Sequence, residues 1–399
     1  MNSTIAFERE REEYLRSMRE GERQGVVIAG PVFEDNRGTS VTYKGHNTLV
    51  FSSNNYLGLS NHPQVISVMK DALDKYGASM CGSRMHNGTT SLHKELEERL
   101  ANALGSEDAV IFSSGYLANL AAVQGVSQDD KFVVVTDALN HASINAGIKI
   151  SNAKKKIYSH NNMEKLEYIL NKNKNSPKKM IMVDGIFSMS GERAKLVEII
   201  HLAEKYNAMV MVDEAHSFGI FGQKGHGLCD ELGISNRVEM KMVTFSKALG
   251  GVGGCITGSK ELCDYMRFAA NAYLFTVALN PASVAGVLKS LELLETEEWR
   301  REKLWDNARY FINQASEIGF QVDCTDSPII PIKVGDYVQT IRYTDALLKR
   351  GLYVSNAVYP VVPKNESILR ISISTALDKK ELDKGLEIMR VTAKEFDII

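Results

Sequence analysis

The feature that most restricts the fold is a set of short, unbroken apolar runs, each closed by polar residues. Residues 109–112 end at Ser113-Ser114-Gly115, 132–135 at Thr136-Asp137, and 180–183 at Asp184-Gly185. Residues 209–212 end at Asp213-Glu214, and 242–245 at Ser246-Lys247. A strand with one face in water alternates apolar and polar side chains, whereas continuous apolarity marks strands covered on both faces. Helical stretches separate the runs. The expected class is therefore α/β, a mostly parallel sheet between layers of helices. Open parallel sheets bind ligands beyond the carboxyl ends of their strands. Each polar terminator alone fits an ordinary turn residue. Five at the same end predict that Ser114, Asp137, Asp184, Asp213 and Lys247 share one rim. Proline cannot donate a ladder hydrogen bond, and none occurs between Pro177 and Pro281, where most of these runs lie.

The flanks read differently. Residues 7–23 alternate charge at helical spacing, which predicts a solvated arm or helix. Leu49-Val50-Phe51 reads as a strand leading into a polar turn. Leu92, Leu96, Leu100 and Leu104 recur every four residues, an amphipathic helix with Ser91 as its cap. Residues 282–295 read as a helix. Residues 329–332 and 368–373 read as strands, the second alternating like a sheet with one open face. Residues 379–396 read as a closing helix. The expected division is an N-terminal segment at 1–55, a large domain at 56–285 and a smaller α+β domain at 286–399.

Composition excludes several classes. The 47 basic and 49 acidic residues leave a net charge of −2, no electrostatic case for nucleic acid or an acidic membrane. No stretch reaches the roughly 18 apolar residues of a membrane span. The first residues are rich in Glu and Arg and lack the apolar centre of a signal peptide. Five cysteines without a C-x-x-C pair predict reduced thiols rather than disulfides or structural zinc, and no metal is expected. The expected location is the cytoplasm. Lys154-Lys155-Lys156 could meet an acidic carrier, but so short a run reads first as ordinary solvated surface.

The chemistry centres on Asp213-Glu214-Ala215-His216 and Thr244-Phe245-Ser246-Lys247-Ala248. Lysine is costly to bury unless paired or neutralised. A salt-bridged lysine is the plain reading. A lysine kept neutral by burial would instead suit a Schiff base to an aldehyde cofactor. Asp213 offers what pyridoxal phosphate (PLP) needs, a carboxylate to keep its pyridine nitrogen protonated. His216 is placed to reach the ring's phenolic oxygen, and His141 to stack on the ring. Gly115, after Ser114, would open a helix N-terminus to a phosphate.

These motifs, with Asn54-Asn55-Tyr56-Leu57-Gly58, Gly82-Ser83-Arg84, His141-Ala142-Ser143, Phe187-Ser188-Met189 and Leu369-Arg370, resemble the α-oxoamine synthases. These are PLP enzymes of the aspartate-aminotransferase fold. Cys81-Gly82-Ser83-Arg84, His160-Asn161-Asn162-Met163 and Asp184-Gly185-Ile186-Phe187 are most similar to the bacterial serine palmitoyltransferase branch. The resemblance implies that Lys247 holds PLP covalently and serves as the base, that Asp213 pairs with the pyridine nitrogen, and that His216 and His141 contact the ring. It places Gly115, Tyr116, Ser188 and Thr244 around the cofactor, and Thr276 at the partner subunit's phosphate in a homodimer. Asn54 and Arg370 match positions that bind the substrate carboxylate, with a surface salt bridge as the plainer role for Arg370.

The implied reaction is a decarboxylative condensation of a small amino acid with an acyl thioester. Serine and a long-chain acyl-CoA come first. Glycine or alanine, and an acyl carrier protein, are the alternatives. A synthase of the glycine C-acetyltransferase or 8-amino-7-oxononanoate synthase type, an aminotransferase, an aldolase-like lyase or a non-catalytic partner subunit would use the same fold. The chain departs from the family pattern at Ser190-Gly191-Glu192, at Val361 and at Thr375-Ala376-Leu377-Asp378, which bear on the acyl pocket and the amino-acid preference.

Overall fold

The computed structural model describes residues 12, 19, 23, 30–126, 131–323, 326–359, 361–363 and 365–399. Most of the charged 7–23 stretch lies outside the described residues. Two strands, β1 (Ser40–Tyr43) and β2 (His46–Val50), form an antiparallel hairpin. Its two turn residues, Lys44 and Gly45, both take positive φ, as the twist of a two-residue hairpin loop demands.

The central sheet comprises β3 (Asp108–Phe112), β4 (Val133–Asp137), β5 (Lys154–Tyr158), β6 (Lys179–Asp184), β7 (Met209–Asp213), β8 (Met240–Thr244) and β9 (Gly254–Gly258). Their spatial order is β3-β9-β8-β7-β6-β4-β5. β9 runs antiparallel to both neighbours, and the other strands share one direction. The α/β reading and the shared rim hold, because β3 and β8 remain co-directional across β9.

Within the unbroken apolar runs a second alternation emerges. Ile181, Val183, Val210, Val212 and Val243 enter one core, against the helices Leu196–Tyr206 and Ser91–Ala103. Met180, Met182, Met211, Met240 and Met242 enter the other, against Ala118, Ala121, Ala122, Ile144 and Met266. Period-two geometry sends successive side chains to opposite faces. The adaptable thioether fits the face whose helix offers mainly alanines.

Three sequence expectations change. Thr90, not Ser91, caps the helix Ser91–Ala103, with its backbone N–H donating to His93 Nδ1 at 3.2 Å. The lysine cluster at 154–156 is solvated surface as expected and starts edge strand β5; exposed lysines there discourage a further strand from pairing. β9 escaped the apolar pattern because glycines bound it. A Cβ on Gly254 would lie 2.6 Å from Gly115 Cα, so the glycine is what lets the next helix start against the sheet. The division expected at 285/286 falls inside the helix Pro281–Thr296, which packs on the helix Pro63–Tyr76. A Cβ on Gly286 would meet Met69 at 2.9 Å.

A smaller sheet near the C-terminus orders β10 (Ile329–Gly335), β13 (Ser367–Ser372) and β12 (Ser355–Ala357), with β13 central and antiparallel to both. A further short strand, β11 (Leu352–Tyr353), runs parallel to β2 and so joins the first hairpin to the C-terminal half. The polar face of β13 is not open to water. Arg370 is 7% exposed and Ser372 1%. That face is covered by residues 51–56: Ser372 N donates to Phe51 O at 2.7 Å, and Thr375 N to Tyr56 O at 2.8 Å. Among the described residues, no helix is long and apolar enough to cross a membrane.

Candidate active site

The carboxyl rim gathers the expected residues. Lys247 follows β8 in a tight turn, where Gly250 N donates to Lys247 O at 2.9 Å and Phe245 N to Gly253 O at 2.9 Å. Gly250 has φ +61°, and a Cβ there would sit 2.4 Å from Ser60 N, so only glycine closes this turn. Burial lowers the Lys247 ammonium to about 8, although Asp213 and Asp184 pull the other way.

Those two carboxyls end neighbouring strands in register. Asp213 Oδ1 accepts from Ala215 N at 2.9 Å, and Oδ2 from Asn119 Nδ2 at 2.8 Å. Asn119 also donates to Ser143 Oγ at 2.8 Å. Asp184 Oδ2 accepts from His141 N at 3.0 Å, while its buried Oδ1 has no hydrogen-bond partner among the described residues. Burial and the Asp213 charge raise the Asp184 carboxyl well above its usual range.

Two imidazoles face this cluster. His141 caps the helix Ala142–Ile150, and its Nδ1 lies 2.6 Å from Ser143 Oγ and accepts from Ser143 N at 3.3 Å. Burial lowers its pKa against the pull of Asp213. His216 Nδ1 lies 2.8 Å from the Tyr56 hydroxyl. Burial, with the charges of Lys247 and Arg370, holds His216 well below the usual histidine range, so the ring is neutral. Burial also raises Tyr56, which stays a phenol. The Tyr56 hydroxyl also donates to Asn54 Oδ1 at 3.3 Å, which links His216 to Asn54.

A helix N-terminus opens beside these groups. Ser114 Oγ accepts from Leu117 N at 3.2 Å and caps the helix Gly115–Gln124, whose first amides belong to Gly115 and Tyr116. A Cβ on Gly115 would lie 2.7 Å from Thr244 Oγ1, so glycine alone permits this approach. Thr244 Oγ1 also lies 3.0 Å from Ser246 Oγ.

Arg370 reaches the rim from β13. Its Nε donates to the Ser188 carbonyl at 2.6 Å, and its Nη1 to Ser372 Oγ at 2.7 Å and Asn54 Oδ1 at 3.2 Å. Among the described residues its partners are neutral oxygens, not the carboxylate of a surface salt bridge. Such a guanidinium suits a bidentate substrate carboxylate. Thr276 is the residue not brought in. Val277 pairs with Ser83, and Ala278 N donates to Gly82 O at 3.0 Å, so this segment joins the 82–88 loop instead.

Tyr56, Asn119 and Ser372 had no role in the sequence reading. Tyr56 was visible in its motif. Asn119 and Ser372 become meaningful only as neighbours of Asp213 and Arg370.

The donor set fits PLP. It combines an amine of depressed pKa, a doubly anchored carboxylate, an unpartnered buried oxygen on Asp184 and a glycine-opened helix N-terminus. The family profile for aminotransferase class I and II matches residues 46–389. An 8-amino-7-oxononanoate synthase of Bacillus pumilus (strain SAFR-032) is 39% identical over 377 residues, 94% of this chain and 96% of that protein. A serine palmitoyltransferase of Bacteroides ovatus is 35% identical over 376 residues, 94% of this chain and 95% of that one. A solved structure of SPT carrying PLP superposes with a TM-score of 0.94 at 33% identity, over 97% of this chain and 98% of that one. These likenesses run through both the cofactor rim and the Asn54–Arg370 pair, and by them the chain belongs to the aminotransferase class I and II family as a PLP-dependent α-oxoamine synthase.

Proposed function

We propose that the chain condenses alanine with a seven-carbon acyl thioester whose far end is a carboxylate, acting as a cytoplasmic homodimer. One observation carries the amino-acid half: Arg370 and Asn54 sit together beside Lys247, and among the described residues no carboxylate bonds the guanidinium. The acyl half comes from the relatives. In 8-amino-7-oxononanoate, two carbons bearing the amine are what alanine leaves after losing its carboxyl, and the other seven form a dicarboxylic acyl chain. This displaces serine with long-chain acyl-CoA, the pairing favoured from motifs alone, to second place. The second reading keeps two supports, the 0.94 TM-score with SPT and the 35% identity to the Bacteroides ovatus serine palmitoyltransferase.

PLP, when bound, supplies an electron sink for a carbanion at the amino acid's α-carbon. Lys247 would hold it, Asp213 would pair with its pyridine nitrogen, and Gly115, Tyr116, Ser188 and Thr244 would take its phosphate. His141 would stack on the ring and His216 would reach its phenolic oxygen. Arg370 and Asn54 orient the amino acid's carboxylate. Lys247, whose ammonium burial lowers to about 8 so that the neutral amine is accessible near physiological pH, removes the α-proton. A carbon–carbon bond then forms to the thioester carbonyl, the thiol leaves with a proton, the original carboxyl departs as carbon dioxide, and a proton takes its place on the α-carbon. Thr276 lies between Phe275, 81% exposed, and Val277, 54% exposed. That apolar exposure supports a second copy covering this segment, with Thr276 serving the partner's site.

The test is a matrix of alanine, serine and glycine against heptanedioyl-CoA and palmitoyl-CoA, read by thiol release and product mass. The highest kcat/KM is expected for alanine with heptanedioyl-CoA. A maximum for serine with palmitoyl-CoA installs the second reading. Amino transfer to a keto acid without thiol release overturns both.

A further inference from the structure

His160, in the loop after β5, has no part in the chemistry above, yet it joins two of the loops that carry it. Its Nδ1 lies 3.0 Å from Asp137 Oδ1, and its Nε2 lies 3.0 Å from Glu192 Oε2. Asp137 also accepts from Leu139 N at 2.8 Å and from Asn161 N at 2.9 Å, so it is an acceptor on both oxygens. An ionised carboxylate offers no hydrogen, and a neutral imidazole carries only one N–H. Carboxylates on both ring nitrogens therefore require the imidazolium. The ring stands edge-on to Phe187, centroids 4.3 Å apart.

The charged groups around it are few. Asp137 faces it from the turn after β4 and Glu192 from the turn after β6, with Asp184 beyond Asp137. Arg193 is turned away, its guanidinium bonded to Glu231 and lying over the Phe221 ring. Burial opposes the charge, and the two carboxylates outweigh it, raising the pKa above the ordinary value. The cation, and the tie it makes, is present below that raised value and is lost as pH climbs through it.

What the tie holds is specific. Phe187 N donates to Glu192 O at 3.0 Å, and Gly191 N to Phe187 O at 2.8 Å, closing a turn that contains Ser188. The Ser188 carbonyl takes the Nε of Arg370 at 2.6 Å. On the other side, the turn from Asp137 leads to His141, whose N–H is held by Asp184.

We infer that His160 is a positioning residue: its imidazolium clamps the 187–192 turn to the 137–141 turn and so sets Arg370 for the amino acid's carboxylate. This rests on the carboxylate-binding role proposed for Arg370. Glu192 is the half-exposed arm of the clamp, so its removal loosens the turn with less risk to folding than removal of His160.

The experiment measures amino-acid Kd from the change in cofactor absorbance, which needs no thioester, in the wild type, His160→Gln and Glu192→Gln. Loss of a charged hydrogen bond in the chain predicts a Kd for alanine about tenfold weaker in H160Q, with a smaller weakening in E192Q. KM for the thioester stays unchanged. In the wild type, binding weakens as pH rises through the His160 titration, and ¹⁵N-histidine spectra show His160 doubly protonated at pH 7. A single neutral tautomer at pH 7, or unchanged Kd in both variants, overturns the inference. If H160Q does not fold, E192Q and the spectra decide alone. Failure of the condensation reading would look different: normal amino-acid binding with no thiol release.

Discussion

Lys241 and Lys247 bracket the two ends of β8, and the contrast between them separates burial from chemistry. Lys241 is 2% exposed, and burial lowers its pKa as it does for Lys247. At the amino-terminal end, Lys241 Nζ donates to Ser235 O at 2.7 Å and Lys179 Nζ to Ser176 O at 2.6 Å. Both line a cavity of 880 Å³, together with Glu239, whose Oε2 already accepts from Val210 N at 2.6 Å. That end is roomy, and its buried groups are engaged by backbone. At the carboxyl end, Lys247 faces Asp213 and Asp184, with Arg370 beside it and glycine-opened backbone nearby. A buried lysine becomes chemical when what surrounds it is another reacting group rather than a carbonyl that consumes its donors.

The strongest way to break this contrast is to remove each amine. Lys247→Ala should lower turnover by at least about a thousandfold, since both the cofactor's anchor and the base go. Its PLP should be lost on gel filtration, read by absorbance. Lys241→Met should keep kcat/KM within about twofold, as distant substitutions do. Equal losses in the two variants would erase the distinction.

The next test moves along the rim. Arg370→Leu should raise the amino acid's KM about a hundredfold through loss of a charge-assisted bidentate contact, while Arg370→Lys recovers part of it. Initial rates against alanine concentration measure this.

A pH profile sharpens the comparison further. Capture of PLP by cofactor-free protein needs the neutral amine, and a depressed pKa extends that form downward in pH. The capture rate should rise up to pH about 8 and then level off, rather than climb toward the ordinary lysine value. Stopped-flow absorbance between pH 6 and 10 would show it. Continued rise beyond pH 9 would mean the amine is not desolvated as described.

The smallest effect concerns stability. Replacing buried Lys241 by methionine trades a desolvated charge for apolar packing and strands one carbonyl, terms that nearly cancel. Urea denaturation should give a change within about 1 kcal/mol.

Legibility in the sequence followed one physical rule. Where a strand is covered on both faces, every position must be apolar, so β4, β6, β7 and β8 stood out and their polar terminators marked the rim. Asp213 and Lys247 were readable for that reason. β9 was not, because a five-residue strand bounded by glycines carries too little apolar signal, and its glycines answer to a helix elsewhere in the chain. The alternation of β13 was readable, but not which element covers its polar face. His160 was visible as part of a motif, yet its meaning depends on two carboxylates from separate turns.

By itself, the order of residues determined the α/β class and the polar residues that end the strands at the rim, because local periodicity and chain direction suffice to place strand ends. Only the tertiary structure decided that Asn54 meets Arg370, that Tyr56 meets His216, and that His160 meets Asp137 and Glu192. These pairs join residues far apart in the chain, and no local pattern encodes a contact made when separate strands and turns pack over a common rim.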